Sequence, residues 1–105
     1  MKKMIALALA VLMLLMLTAC GSTTDDGKYT IGICQLVTHD ALDAATKGFQ
    51  DAVIAGLGKE NVTFDLQNAA GDSNTCASIA NAFVAAEVDL IMANATPALK
   101  NVQAA

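Results

Sequence analysis

Tyr29-Thr30-Ile31-Gly32-Ile33-Cys34-Gln35-Leu36 is the stretch whose reading decides the fold. It is rich in β-branched residues and bounded by polar segments, which describes a buried strand. Downstream, Leu42, Ala45, Phe49, Ala52, Val53 and Leu57 recur every three or four residues and share one helical face. That predicts a helix over residues 38–57, capped by Thr38 and stopped near Gly56 and Gly58. The chain therefore opens its folded part as strand then helix.

The same pattern repeats twice. Val62-Thr63-Phe64-Asp65-Leu66-Gln67 alternates as a second strand. Cys76, Ile79, Ala80, Phe83 and Val84 mark a second amphipathic helix, opened by Asp72-Ser73-Asn74. Val88-Asp89-Leu90-Ile91-Met92-Ala93 predicts a third strand. Thr96 is expected to cap the last helix, with Pro97 at its first helical position. Strand and helix in alternation with short links imply a parallel α/β sheet with right-handed crossovers. The expected strand order is 2-1-3, the start of a flavodoxin-like sheet.

In such a sheet, ligands bind beyond the carboxyl ends of the strands, beside the point where the strand order reverses. Three segments fall there, 35–39, 68–72 and 94–97. Their candidate ligand-binding residues are Gln35, His39, Asn68, Asp72, Asn94, Ala95 and Thr96. The last two segments lead into helix N-termini, whose free N–H groups suit an anion such as a carboxylate. Gln35 is either a ligand contact or a satisfied loop glutamine, and Asp72 is foremost a helix cap. A single histidine offers no metal set.

Upstream of the first strand the sequence changes character. Met1-Lys2-Lys3 is basic, and Met4 to Leu17 is an unbroken apolar run, followed by the small residues Thr18 and Ala19. That is the layout of a secretory signal peptide over residues 1–19. Fourteen residues of helix span about 21 Å, short of a ~30 Å hydrocarbon core. Leu17-Thr18-Ala19-Cys20 resembles the bacterial lipobox, which implies lipidation of Cys20. Residues 20–28 are small and polar and are expected to form a flexible tether. The folded part is then residues 29–105, held at the extracytoplasmic face of a cell membrane through its lipid anchor.

The chain carries six Lys, no Arg and ten acids, for a net charge of −4. Removal of Lys2 and Lys3 with the leader would take the mature part to about −6. With no basic run and few aromatics, nucleic-acid binding is not expected, because it depends on neutralising phosphates. Gly56-Leu57-Gly58 follows a helix rather than a first strand, so it is no nucleotide fingerprint. No Gly-x-Ser-x-Gly, His-Glu-x-x-His or Cys-x-x-Cys motif occurs, and neither an enzyme nor a cofactor is expected.

Several pieces in order, Ile31-Gly32-Ile33-Cys34-Gln35 with His39, Ala41-Leu42-Asp43-Ala44-Ala45 with Lys47-Gly48-Phe49, Gln67-Asn68-Ala69 with Gly71-Asp72, Val88-Asp89-Leu90-Ile91, and Ala95-Thr96-Pro97, carry a family likeness. Together they resemble the solute-binding lipoproteins of ABC importers with the type I periplasmic-binding fold, most closely the tryptophan/tyrosine-type subgroup. The resemblance implies a small-molecule solute, an amino acid or similar compound, and an ABC permease as partner. It departs at Asp40, where the family has proline, and at Ala70, where it has glutamine. Family members are two-lobed and far longer, so residues 29–105 are expected to be a partial N-terminal lobe, a fragment of the binding domain. A membrane-tethered sensor with the same fold and an exported flavodoxin-like enzyme are the competing readings. An adjacent receptor or kinase gene would favour the sensor, and bound flavin the enzyme.

The 2-1-3 order also brings Cys34 and Cys76 to the same end of the sheet, because the second helix returns over the first strand. Proximity of the two is expected, and a disulfide is one of two outcomes, the other being separate buried thiols.

Overall fold

The computed structural model describes residues 1–6, 8 and 28–105. Cys20, most of the apolar run before it and the tether as far as Gly27 lie outside the described residues. No helix among those described is long and apolar enough to cross a membrane. From residue 29 onward the elements are β1 (Tyr29–Gln35), α1 (Asp40–Leu57), a 3-10 turn (Lys59–Asn61), β2 (Val62–Asn68), α2 (Ser73–Ala85), β3 (Leu90–Asn94) and α3 (Thr96–Ala104). The three strands form one parallel sheet in the order β2-β1-β3. The expected α/β class and strand order are what the structure has.

β1 is central because its sequence tolerates burial on both faces. Ile31 through Gln35 are all buried, and Ile33 and Cys34 are fully so. Burying a side chain the size of Ile33 contributes about 1.5–3 kcal/mol. Gln35 and Thr46 place one face of the strand against α1, and Gly32 and Cys34 point to α2. On the α2 side, Cys34, Ala69, Cys76, Phe83 and Ala98 form a core cluster, with Ile79, Val88, Ile91 and Val102 packed against it. On the α1 side, Phe49 meets Phe64 of β2 edge-on, with ring centroids 6.4 Å apart.

Helix boundaries differ from the sequence reading in two places, each for a local reason. α1 is capped by His39 rather than Thr38: the His39 Nδ1 accepts from the Ala41 N–H at 3.2 Å. The Thr38 hydroxyl instead accepts from Asn68 Nδ2 at 3.1 Å, tying two loops together. Thr96 is the first residue of α3, not its cap, and Pro97 sits one position further in. Ala95 takes the cap position at φ 88° and ψ 156°, and its carbonyl already accepts from the Leu99 N–H at 3.0 Å. That backbone region is costly for a side chain, on the order of 1–3 kcal/mol.

β3 starts at Leu90 and runs to Asn94, two residues later than expected at its start and one later at its end. Asp89 explains the late start. Its carboxylate accepts from the Thr30 N–H at 2.7 Å while its own N–H donates to the Thr30 carbonyl at 2.8 Å. The helical face assigned to α1 is also narrower than expected. Leu42, Phe49 and Val53 are half-buried, but Ala45, Ala52 and Leu57 are exposed, and the one buried residue of the helix is the polar Thr46. In α2, Cys76, Ala80 and Phe83 are buried as expected and Val84 is half exposed.

Candidate functional site

The carboxyl ends of the three strands finish on amides. In register, Gln35 pairs with Asn68 on one side and with Asn94 on the other, so three amide side chains form a row across the end of the sheet. Strand neighbours in register point to the same face, here the face of α1. Gln35 and Asn94 are buried and Asn68 is exposed.

Thr46 explains how two amides can be buried at that point. Its hydroxyl donates to Gln35 Oε1 at 2.7 Å and accepts from Asn94 Nδ2 at 2.9 Å. Asn94 Nδ2 also donates to the Leu42 carbonyl at 2.9 Å. Gln35 Nε2 donates to the Val37 carbonyl at 2.9 Å and to Asp43 Oδ1 at 2.6 Å. No buried side-chain nitrogen or oxygen among the described residues lacks a partner. A buried amide without partners would cost about 1–3 kcal/mol, so this network is what lets polar strand ends occupy the interior.

Asn68 is the exposed member of that row, and the remaining exposed candidates surround it. Asn68 Nδ2 reaches Thr38, and its Oδ1 accepts from the Ala70 N–H at 2.8 Å, supporting the positive φ of Ala70 ahead of Gly71. Asp72 caps α2 by accepting from the Asn74 N–H at 2.7 Å. The loop carrying it is sewn to β1 through Ala69 N–H to the Gln35 carbonyl (2.9 Å) and Gly71 N–H to the Leu36 carbonyl (2.7 Å). His39 and Thr96 are exposed at the starts of α1 and α3, and Ala95 is half-buried between β3 and α3. All seven sequence-derived candidates thus lie at the carboxyl end of the sheet, two of them buried in one network, Asn68 exposed at the end of β2 and the others in the loops and helix starts around it.

A cleft of about 300 Å³ opens beside the amide row, lined by Gln35, Thr38, Asp43, Thr46, Lys47, Gln50, Leu66 and Asn68. Asp43, Thr46, Lys47 and Gln50 were not among the sequence candidates. Their spacing of three or four residues puts them on one stripe of α1, a signal hidden because that stripe is polar. Lys47 is held by the exposed Asp51 one turn on, a pairing worth at most a few tenths of a kcal/mol. Among the described residues no group of three His, Cys, Asp or Glu side chains is placed to hold a metal ion.

Residues 30–105 match the family described as ABC transporter substrate binding protein. The chain is 40% identical over 111 aligned positions to a tyrosine-binding protein of Clostridioides difficile (strain R20291), an alignment covering 91% of this chain and 32% of that protein. It also superposes on the ligand-free, open structure of CD0873, a substrate binding protein with adhesive properties from Clostridium difficile. That match has a TM-score of 0.70 and 42% identity, covering 72% of this chain and 26% of the other. The chain therefore spans about a third of the length of the curated relative it matches.

Proposed function

The chain belongs to the ABC transporter substrate binding protein family, and we propose that it supplies one wall of the solute site in the receptor of an ABC importer. The solute is a small molecule of the amino-acid class, and the role is binding rather than catalysis. The observation that carries this reading is the row of Asn68, Gln35 and Asn94 at the carboxyl end of a β2-β1-β3 sheet. A parallel sheet of that order offers its ligand surface there. The likeness to a tyrosine-binding protein supports an amino acid as the solute class.

In this reading the residues divide by exposure. Gln35 and Asn94, locked through Thr46, hold the strand ends in register. His39, Asn68, Asp72 and Thr96 present hydrogen-bonding groups to the solute, with the starts of α2 and α3 favouring its carboxylate. Closure against a second lobe would bury the solute and deliver it to the permease. Residues 1–19 act as the export signal, Cys20 carries the lipid, and residues 20–28 tether the lobe to the outer face of the membrane.

Calorimetric titration of the complete encoded polypeptide with tyrosine and with other amino acids tests the solute class. The expected result is saturable binding, weakened roughly tenfold by Asn68→Ala, the loss of about one hydrogen bond to a charged ligand. Absence of heat with every amino acid would refute it. Mass spectrometry of membrane-derived protein tests the anchor separately, an unmodified Cys20 or an intact Met1 removing that part alone.

A further inference from the structure

Cys34 and Cys76 are the two cysteines of the folded part, and both are completely buried. Alternation along β1 turns Cys34 toward α2, the face on which Gly32 meets Phe83. Cys76 stands in the first turn of α2, whose N-terminal loop is bonded to the end of β1 through Ala69 and Gly71. Both sulfurs therefore lie at the same end of the sheet, in one cluster with Ala69, Phe83 and Ala98. They are free thiols in this structure. Burial first, and then the neighbouring Cys76, push the Cys34 thiol up to about 11.

We propose that Cys34 and Cys76 form a disulfide that pins the first turn of α2 to the carboxyl end of β1. One cysteine from the strand and one from the helix packed in a single buried cluster are placed so that a local approach can bring the sulfurs to bonding distance. The physiological setting, an oxidising exterior, is taken from the export reading above, whereas the pairing itself comes from the packing. The step is a thiol–disulfide exchange with a low-molecular-weight or enzymatic disulfide. Two S–H bonds of the protein are lost and one S–S bond forms between residues 34 and 76. The co-reactant's own disulfide takes the two electrons and two protons and leaves as two thiols. With both sulfurs inaccessible in the native state, exchange occurs during folding or through local opening of the α2 start. The bond closes a loop of about 43 residues and holds the Asp72 cap and the Asn68–Asp72 loop in place.

The test uses the purified full chain, refolded in a glutathione buffer rich in the oxidised form, so that failure of export leaves its outcome untouched. Thiols are blocked with iodoacetamide in denaturant and the protein is digested with trypsin without reduction; Lys47 and Lys59 separate the two cysteines. The expected result is a linked pair of peptides bearing Cys34 and Cys76 that dithiothreitol resolves. The linked form is expected to melt roughly 10 °C above the reduced form. Recovery of both residues alkylated, or joined only to glutathione or to Cys20, overturns the proposal, and so does a linked form that melts no higher.

Discussion

Gly32 lies in the middle of β1 beneath Phe83, and a Cβ placed there would come within 2.7–2.9 Å of three ring carbons. The ring is itself 2% exposed and packed in the core, so it has little room to retreat. Gly32→Ala is expected to destabilise by about 1–3 kcal/mol in urea unfolding, the range for overpacking. Phe83→Leu should relieve part of that cost, giving a coupling between the two sites in a double-mutant cycle. Additive effects would show that the clash is not the cause. Cys34 gives a second residue-scale expectation, this one in pH. In the reduced protein its thiol is raised from about 9 to about 11 when folded. Above pH 9 the unfolded chain loses that proton before the folded chain does, so the unfolded state gains and stability falls with rising pH. Its contribution is intact below about pH 9 and gone once pH passes about 11, a change on the order of 2 kcal/mol. The limb should vanish in Cys34→Ala and in the disulfide-linked protein, where neither buried thiol remains to titrate.

At the scale of elements, Thr46 couples α1 to two strands at once, through Gln35 on β1 and Asn94 on β3. Thr46→Val keeps the shape but removes the hydroxyl, leaving Gln35 Oε1 without its donor. A cost of about 1–3 kcal/mol is expected, with Thr46→Ser close to the parent. Equal stability of the valine variant in chemical denaturation would show that water or a neighbour replaces the hydroxyl. The same residue shows where reading a sequence stops. β1, β2, α2 and the order of the sheet followed from apolar periodicity and short links, because those signals come from burial itself. α1 was found by its apolar positions, yet its most buried side chain is polar and its partners are 11 and 48 residues distant in sequence. Periodicity cannot see a threonine whose burial is licensed by two amides contributed by other elements. The Asp72 cap held, but those assigned to Thr38 and Thr96 failed for a related reason. Thr38 and Thr96 are good capping residues, but Thr38 is engaged by Asn68, and the positive φ at Ala95 starts α3 one residue early. The candidate residues were locatable because topology alone says where strands end. The division into a locked pair and an exposed set depended on side-chain partners that no spacing encodes.

For the whole molecule, the uneven burial of the three strands decides the behaviour. β1 is paired on both sides, whereas β2 and β3 each pair with β1 among the described residues. Their apolar side chains are correspondingly open: Leu66 of β2 is 48% exposed and Leu90 of β3 is 51% exposed. Val84 of α2 and Leu99 of α3 are open to a similar degree. Unpaired strand edges flanked by exposed leucines are templates for another chain, and a small domain buries a limited share of its surface. The 105-residue polypeptide, produced alone, is therefore expected to unfold in a shallow, early urea transition and to associate as its concentration rises. Light scattering across a dilution series measures the association, and the slope of the urea curve reports the surface exposed on unfolding. Leu66→Lys and Leu90→Lys place a charge beside each outer strand. Both are expected to shift the scattering mass toward the monomer while leaving the helical circular dichroism unchanged, since neither side chain lies in the buried cluster on the α2 face. A chain that stays monomeric at every concentration and melts steeply would mean that these edges are satisfied in solution, and the argument from open strands would fall.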